Sequence, residues 1–214
     1  MAERAHPDDP GFRDRWRFSF WHRFIPRLSR VKNPYRDEFI WRYSWANRYC
    51  RGMDVIDVPC GMGWGTSLIR DAKTLSGIDL NAEAVDEARN RYGGHAAFKV
   101  GDMSQLEFPD SSIDVVCCLE GIEHVPVEVG NLFLAEAFRV LRPAGRLLIS
   151  SPYCTTLPHS GNPHHVHEYP PDEIIAAVSR YFLIEDMVSR EVDIMTVFYM
   201  SCTRNADCGC SLEG

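Results

Sequence analysis

Residues 54–66 read Asp54-Val55-Ile56-Asp57-Val58-Pro59-Cys60-Gly61-Met62-Gly63-Trp64-Gly65-Thr66. The stretch Met53–Val58 reads as a buried strand. It ends near an acid, Asp57, and three glycines follow at alternate positions, Gly61, Gly63 and Gly65. Glycine lets the chain turn tightly and lets a ligand approach the backbone with no side chain between them. A nucleotide-like ligand then sits over the strand ends, as in open α/β sheets. A dinucleotide fingerprint, G-x-G-x-x-G, needs its third glycine at position 66. Thr66 stands there instead. Taken alone, the run also fits a plain strand-to-helix turn, with a helix expected through Ile69.

The same alternation extends in both directions. A helix is expected over Tyr35–Cys50 upstream. Downstream, Leu75–Asp79 reads as a strand and Asn81–Tyr92 as a helix, with Asn81 as its N-cap and Ala84, Val85 and Ala88 on one face. Ala97–Val100 and the strongly apolar Ile113–Leu119 read as strands, Asn131–Leu141 as a helix and Arg146–Ser150 as a strand. After a polar loop come a helix over Pro171–Arg180 and strands near Phe182–Met187 and Met195–Cys202. Strands alternating with helices at this spacing predict a parallel sheet covered on both faces, an α/β fold.

Composition narrows the class. The chain has 214 residues, 45% hydrophobic and 25% charged, which suits one globular domain. Its formal net charge is −7, so its overall field repels phosphates and non-specific nucleic-acid binding is not expected. The start, MAERAHPDDP, is polar, and no run is long and apolar enough to span a bilayer. A cytoplasmic protein is expected, with most of its eight cysteines free. Cys117 and Cys118 fall within a core strand, where cysteine behaves as a small hydrophobe. The Cys208-x-Cys210 spacing is too short for a C-x-x-C zinc knuckle.

Three segments are expected: residues 1–34, a domain over 35–202, and a loose tail over 203–214. Residues 1–32 hold seven Arg and one Lys against four acids, interleaved with Trp16, Phe18, Phe20, Trp21 and Phe24. This basic, aromatic stretch is a candidate lid or interface, and Pro26 would break or kink a helix there.

Three further runs carry chemistry at strand ends. In Gly77-Ile78-Asp79-Leu80, a carboxylate is placed to accept two ribose hydroxyls, or to cap the next helix. In Gly101-Asp102-Met103, Asp102 can accept from an adenine amino group while a neighbour covers the ring. In Leu119-Glu120-Gly121-Ile122-Glu123-His124, the fourth strand aims its carboxyl end at the same crevice.

Taken together, D-V-P-C-G-x-G-x-G, G-I-D-L-N, G-D-M-S-Q-L-E-F-P-D-S-S-I-D-V-V, E-G-I-E-H-V and R-V-L-R-P-A-G-R-L-L-I-S-S-P resemble the class I S-adenosylmethionine-dependent methyltransferases. The resemblance runs from about Arg42 to Phe182. It points to the single-domain members that act on small molecules and glycans. It implies a Rossmann-like, doubly wound sheet of seven mostly parallel strands, the last antiparallel, with S-adenosyl-L-methionine as cofactor. It assigns Asp57, Gly61, Gly63 and Gly65 to the methionine moiety, Asp79 with Leu80 to the ribose side, and Asp102 and Met103 to the adenine. Leu119 and Glu120 fall to the sulfonium region. Pro59 departs from the family's usual small residue, and the Asn/Asp-Pro-Pro-aromatic signature of adenine-methylating relatives is absent.

The loop Ser151–Tyr169 is rich in His, Pro and Asn, and a similar N-P-x-H-V-x-E-Y run occurs in relatives associated with sugars. It is expected to roof the acceptor pocket. His165 reads as a general base or acceptor-binding group, as part of a structural loop with Glu168, or, with His167, as a zinc ligand. No metal is the expectation adopted. His124 is a second candidate base. The function expected is O-methylation of a sugar, glycan precursor or other polar small molecule. The alternatives are a lipid- or quinone-like acceptor at a membrane surface, and a scaffold that keeps the fold and has lost transfer.

Overall fold

The computed structural model describes residues 34–154, 159–192 and 194–205. Of the basic aromatic segment expected over residues 1–34, residues 1–33 lie outside the described residues, as does the tail from residue 206. Seven strands form one sheet: β1 (Asp54–Asp57), β2 (Thr74–Asp79), β3 (Ala97–Val100), β4 (Ile113–Leu119), β5 (Leu141–Cys154), β6 (Phe182–Val192) and β7 (Met195–Arg204). Four α-helices accompany them among the described residues: α1 (Pro34–Cys50), α2 (Ala82–Tyr92), α3 (Val127–Val140) and α4 (Pro171–Ser179).

The strand order is β3-β2-β1-β4-β5-β7-β6. The first five are parallel, and β7 runs antiparallel between β5 and β6. Residues on β4 alternate between the two faces, as a pleated strand requires. Val116 and Cys118 pack with Phe133, Leu134 and Ala137 of α3 and Ile174 and Val178 of α4. Val115, Cys117 and Leu119 pack with Tyr43, Trp45, Ala46 and Cys50 of α1. Each such side chain removed from water contributes about 1.5–3 kcal/mol, so an apolar run such as β4 belongs at the centre of the sheet.

Several boundaries differ from the sequence reading. No α-helix follows the glycine turn; only a single 3₁₀ turn, Thr66–Leu68, forms there. The connection from β1 to β2 is short, and α1 covers that face instead. Asn47 of α1 donates to the Leu68 carbonyl at 2.7 Å and accepts from the Arg70 amide at 2.8 Å, so the side chain satisfies backbone groups a helix would have paired. Helix α3 begins at Val127, directly after Pro126, four residues before the expected start. Strand β5 extends well beyond Arg146–Ser150 in both directions: Leu141 pairs with Ile113 of β4 at one end, and β7 pairs with the strand as far as Cys154 at the other. Thr203 and Arg204, expected in the tail, belong to β7. Helix α2 matches its reading: the Asn81 side chain accepts from the Ala84 amide at 3.0 Å, and Ala84, Val85 and Ala88 are buried.

Candidate active site

The parallel strands direct their carboxyl ends to one edge of the sheet, where the glycine turn opens. The three glycines there have three different jobs. Gly61 has φ +52, its missing side chain faces open space, and its amide donates to Asp79 Oδ2 at 2.8 Å. Gly63 has φ +76, and a Cβ there would lie 2.8 Å from Ala88 and Phe98, so α2 and β3 close on it. Gly65 has ordinary helical φ, but a Cβ would meet the Tyr43 ring at 2.1 Å. Glycine is therefore needed at 61 and 63 for backbone conformation, and at 63 and 65 for the close approach of neighbouring side chains.

Asp57 is fully buried. Its Oδ2 accepts from Thr66 Oγ1 at 2.7 Å and Tyr43 Oη at 3.3 Å. Its Oδ1 is buried with no hydrogen-bond partner among the described residues. Burial pushes its pKa up to about 7, against those two hydrogen bonds. A buried carboxylate oxygen lacking a donor is uncommon, and a ligand bearing an ammonium group would supply one. Asp79, at the end of β2, accepts from the Gly61 and Asn81 amides, each at 2.8 Å. It thereby locks the turn, and each oxygen keeps a second lone pair for a ligand. Beside it Leu80 is 70% exposed, and Val100 at the end of β3 is also exposed. Asp102 accepts from both the amide and the hydroxyl of Ser104, and Met103 is buried.

A cavity of about 150 Å³ lies over β1 and β4. Pockets for whole small molecules run to roughly 300–1,000 Å³, so this one houses part of a ligand. Gly61 and Gly65 line one side, and Leu119 and Glu120 the floor. Glu123, His124, His165 and Asn162 line another side, and Phe39, Arg42 and Tyr43 of α1 close it. Asp57, Gly63, Asp79, Leu80, Asp102 and Met103 are not among its lining residues. The structure thus divides the expected site into a concave end, with both candidate histidines, and an exposed shelf at the ends of β2 and β3.

Glu120 has φ +58, a conformation rare for a residue with a side chain and costing about 1–3 kcal/mol. Its amide donates to Ser150 Oγ at 2.9 Å, its Oε1 accepts from that hydroxyl at 3.0 Å, and its Oε2 lies 3.5 Å from Arg42. Burial pushes its carboxyl pKa up, and the Arg42 guanidinium opposes that.

Of the described residues of the histidine loop, Asn162 and His165 line the cavity. The amides of Val166 and His167 donate to the Glu123 carbonyl at 2.7 and 3.1 Å, which fastens the loop to the turn after β4. His165 Nδ1 contacts Glu168 Oε1 at 2.6 Å, and both side chains are buried. Burial acts to raise the Glu168 pKa, but hydrogen bonds from Ser160 and His165 prevail and hold it below the usual carboxylate range. His124 Nδ1 contacts the His164 carbonyl at 2.9 Å, and the His124 and His165 rings are 5.2 Å apart. His167 does not join them: it pairs with Glu173 at 2.8 Å, so the His165–His167 pair weighed as an alternative zinc site does not converge. The sequence reading missed Arg42, Tyr43 and Met195 of the lining. The one signal for α1 was Glu38 and Arg42 four residues apart, on a helix otherwise rich in aromatic residues.

Among known proteins, residues 55–145 match the methyltransferase domain family. The chain is 35% identical over 151 residues to a probable S-adenosylmethionine-dependent methyltransferase of Mycolicibacterium smegmatis, covering 68% of this chain and 57% of that protein. It is 36% identical over 101 residues to a fatty-acid O-methyltransferase of the same organism, covering 45% of this chain and 36% of that one. The chain spans about half the length of the first curated relatives it matches. A crystal structure of a Pyrococcus horikoshii protein shares the fold with a TM-score of 0.68 at 18% identity, covering 88% of this chain and all of that one. With the glycine turn, the strand-end acids and the 3-2-1-4-5-7-6 sheet in place, the chain belongs to the class I S-adenosylmethionine-dependent methyltransferases.

Proposed function

We propose that this protein transfers the methyl group of S-adenosyl-L-methionine to a hydroxyl oxygen of a polar small molecule, such as a sugar or glycan precursor. One observation carries the reading. One cavity is lined both by the glycine turn and by His124 and His165, so a donor methyl and a proton-handling group would share one space.

The residues fit the cofactor. Asp57 Oδ1 offers an acceptor to its amino group, the Gly61 backbone lies open to close approach, and Asp79 has lone pairs left for ribose hydroxyls. Leu80 and Val100 offer an apolar shelf beside Asp102 and Met103 for the adenine. Leu119 and Glu120 floor the reacting end. The cofactor supplies an activated methyl group. The protein's work is alignment of the acceptor oxygen and removal of its proton. Asn162, Glu123 and Arg42 present polar atoms suited to a hydroxyl-rich acceptor. His165, oriented by Glu168, and His124, oriented by the His164 carbonyl, are the groups that ease the proton's departure. No nucleic-acid partner is proposed.

The test is a panel of sugars, nucleotide-free polyols, fatty acids and quinols incubated with methyl-labelled cofactor. Label in a hydroxyl-bearing polar acceptor supports the reading. Label only in a fatty acid supports the second reading, an apolar acceptor at a membrane surface, which the likeness to a fatty-acid O-methyltransferase favours. No helix among the described residues is long and apolar enough to cross a membrane.

A further inference from the structure

The two histidines of the cavity are held in a way that goes beyond what a general base needs. His124 Nδ1 faces a carbonyl oxygen and His165 Nδ1 faces a carboxylate. Both partners only accept, so each Nδ1 carries a proton, and in the neutral ring each Nε2 carries the lone pair. Glu123, 0% exposed, adds a carboxylate whose Oε1 lies 3.8 Å from His124 Nε2. One ligand atom from each of Glu123, His124 and His165 lies within 4.8 Å of the other two.

Metal-binding histidines have this arrangement: one nitrogen on the ion, the other donating to a carboxylate or backbone carbonyl that fixes the tautomer and raises ligand basicity. Here both histidines show it, with one partner of each kind. They also come from different elements, the turn after β4 and the loop after β5, brought together by the bonds from Val166 and His167 to the Glu123 carbonyl. All three side chains line the cavity, so an ion among them would have its remaining positions open to a ligand there.

We propose that Glu123, His124 and His165 form a binding site for one divalent transition-metal ion, zinc being the reference case. Two imidazoles and one carboxylate suit zinc and its neighbours; magnesium and calcium prefer all-oxygen shells. Three protein ligands with a fourth position open is the pattern of a reactive zinc site. Bonds of about 2.0–2.2 Å require the donors to draw closer than 3.8 Å, which side-chain rotation accomplishes. The inference rests on the reading above only in what the open position takes: an acceptor with oxygen donors, held and polarised there; with both Nε2 atoms on the ion, His124 and His165 would ease the proton's departure through the ion, and the proton would leave to water. Metal binding itself is independent of methyl transfer.

The test uses the full chain, stripped with a chelator and titrated with Co²⁺, with Zn²⁺ in competition. The expected result is uptake of one equivalent with a nitrogen/oxygen visible spectrum and displacement by Zn²⁺. Glu123→Gln, His124→Asn and His165→Asn should each weaken Co²⁺ binding by about tenfold or more, while His167→Ala leaves it at the parent value. S-adenosylhomocysteine titrations on the same samples report folding, and separately test the methyltransferase reading. Should the variants fail to fold, X-ray absorption on the zinc-loaded parent counts its ligands, and two imidazoles with no sulfur are expected. Absence of stoichiometric uptake overturns the proposal. So does uptake indifferent to His124 and His165, or a sulfur shell that places the ion on cysteines.

Discussion

Asp57 holds a carboxyl proton that the unfolded chain would not. Its native pKa is pushed up to about 7 by burial, against about 4 for an unfolded aspartate. Between those values the native state binds a proton that the unfolded state has lost. Its contribution to stability is therefore fully present below about pH 4, declines as pH rises through the window and is gone above about pH 7. Asp57→Asn removes that slope. Denaturant midpoints at about pH 5 and about pH 8 should show the parent losing more stability on the alkaline side than the variant does. A difference between the two proteins that is independent of pH would mean that Asp57 is ionised in the fold. At the other end of the cavity, His165→Ala is expected to lower the transfer rate by about 10²–10⁴-fold with cofactor affinity nearly unchanged. Single-turnover rates with cofactor titrations check this. If His124→Ala alone behaves so, the proton leaves beside β4 and His165 serves the loop; if neither matters, the acceptor is already nucleophilic. The positions of the acids at strand ends were legible in the sequence, because the apolar runs before them mark where the strands stop. The roles of the glycines were less so. Gly63 and Gly65 meet Phe98 and Tyr43, side chains 35 and 22 positions away in the chain, and no local pattern announces such a meeting.

At the scale of elements, α1 takes over part of the work expected of a helix after the glycine turn. It is pinned to the far strands through Glu38, which accepts from Arg190 Nε at 2.8 Å and from the Tyr199 hydroxyl. Trp41 packs edge-on against Tyr199 with centroids 4.9 Å apart, and the Arg190 guanidinium lies over the Trp41 ring. Tyr43 is thereby laid on Gly65. Gly65→Ala would drive a methyl group into that ring, and overpacking of this kind costs about 1–3 kcal/mol. Denaturant unfolding should show a loss in that range, and pairing the change with Tyr43→Ala should recover part of it. An undiminished Gly65→Ala protein would mean that Tyr43 does not lie on the turn. Helices α2 and α4 were readable because their apolar residues recur at helical spacing. The length of β5 was not, because its extension depends on pairing with β7, which is distant in sequence.

Across the whole molecule, the α/β class follows from strand–helix alternation, and the seven strands with an antiparallel last one from the family resemblance that the motifs carry; the strand order is seen only in the structure. The doubly wound topology then fixes the site's position, since ligands of open α/β sheets bind outside the carboxyl ends of the strands. What that reasoning left open was the acceptor end, where α1, the turn after β4, the histidine loop and β7 meet; such a surface is set by tertiary packing that no single segment encodes. Calorimetric titration of the full chain with S-adenosylhomocysteine asks whether this crevice takes S-adenosyl-L-methionine. One equivalent should bind, and Asp79→Ala should weaken binding by about 1–3 kcal/mol through loss of charge-assisted hydrogen bonds. Binding of NAD with no affinity for S-adenosylhomocysteine, or an Asp79→Ala protein as tight as the parent, would contradict it.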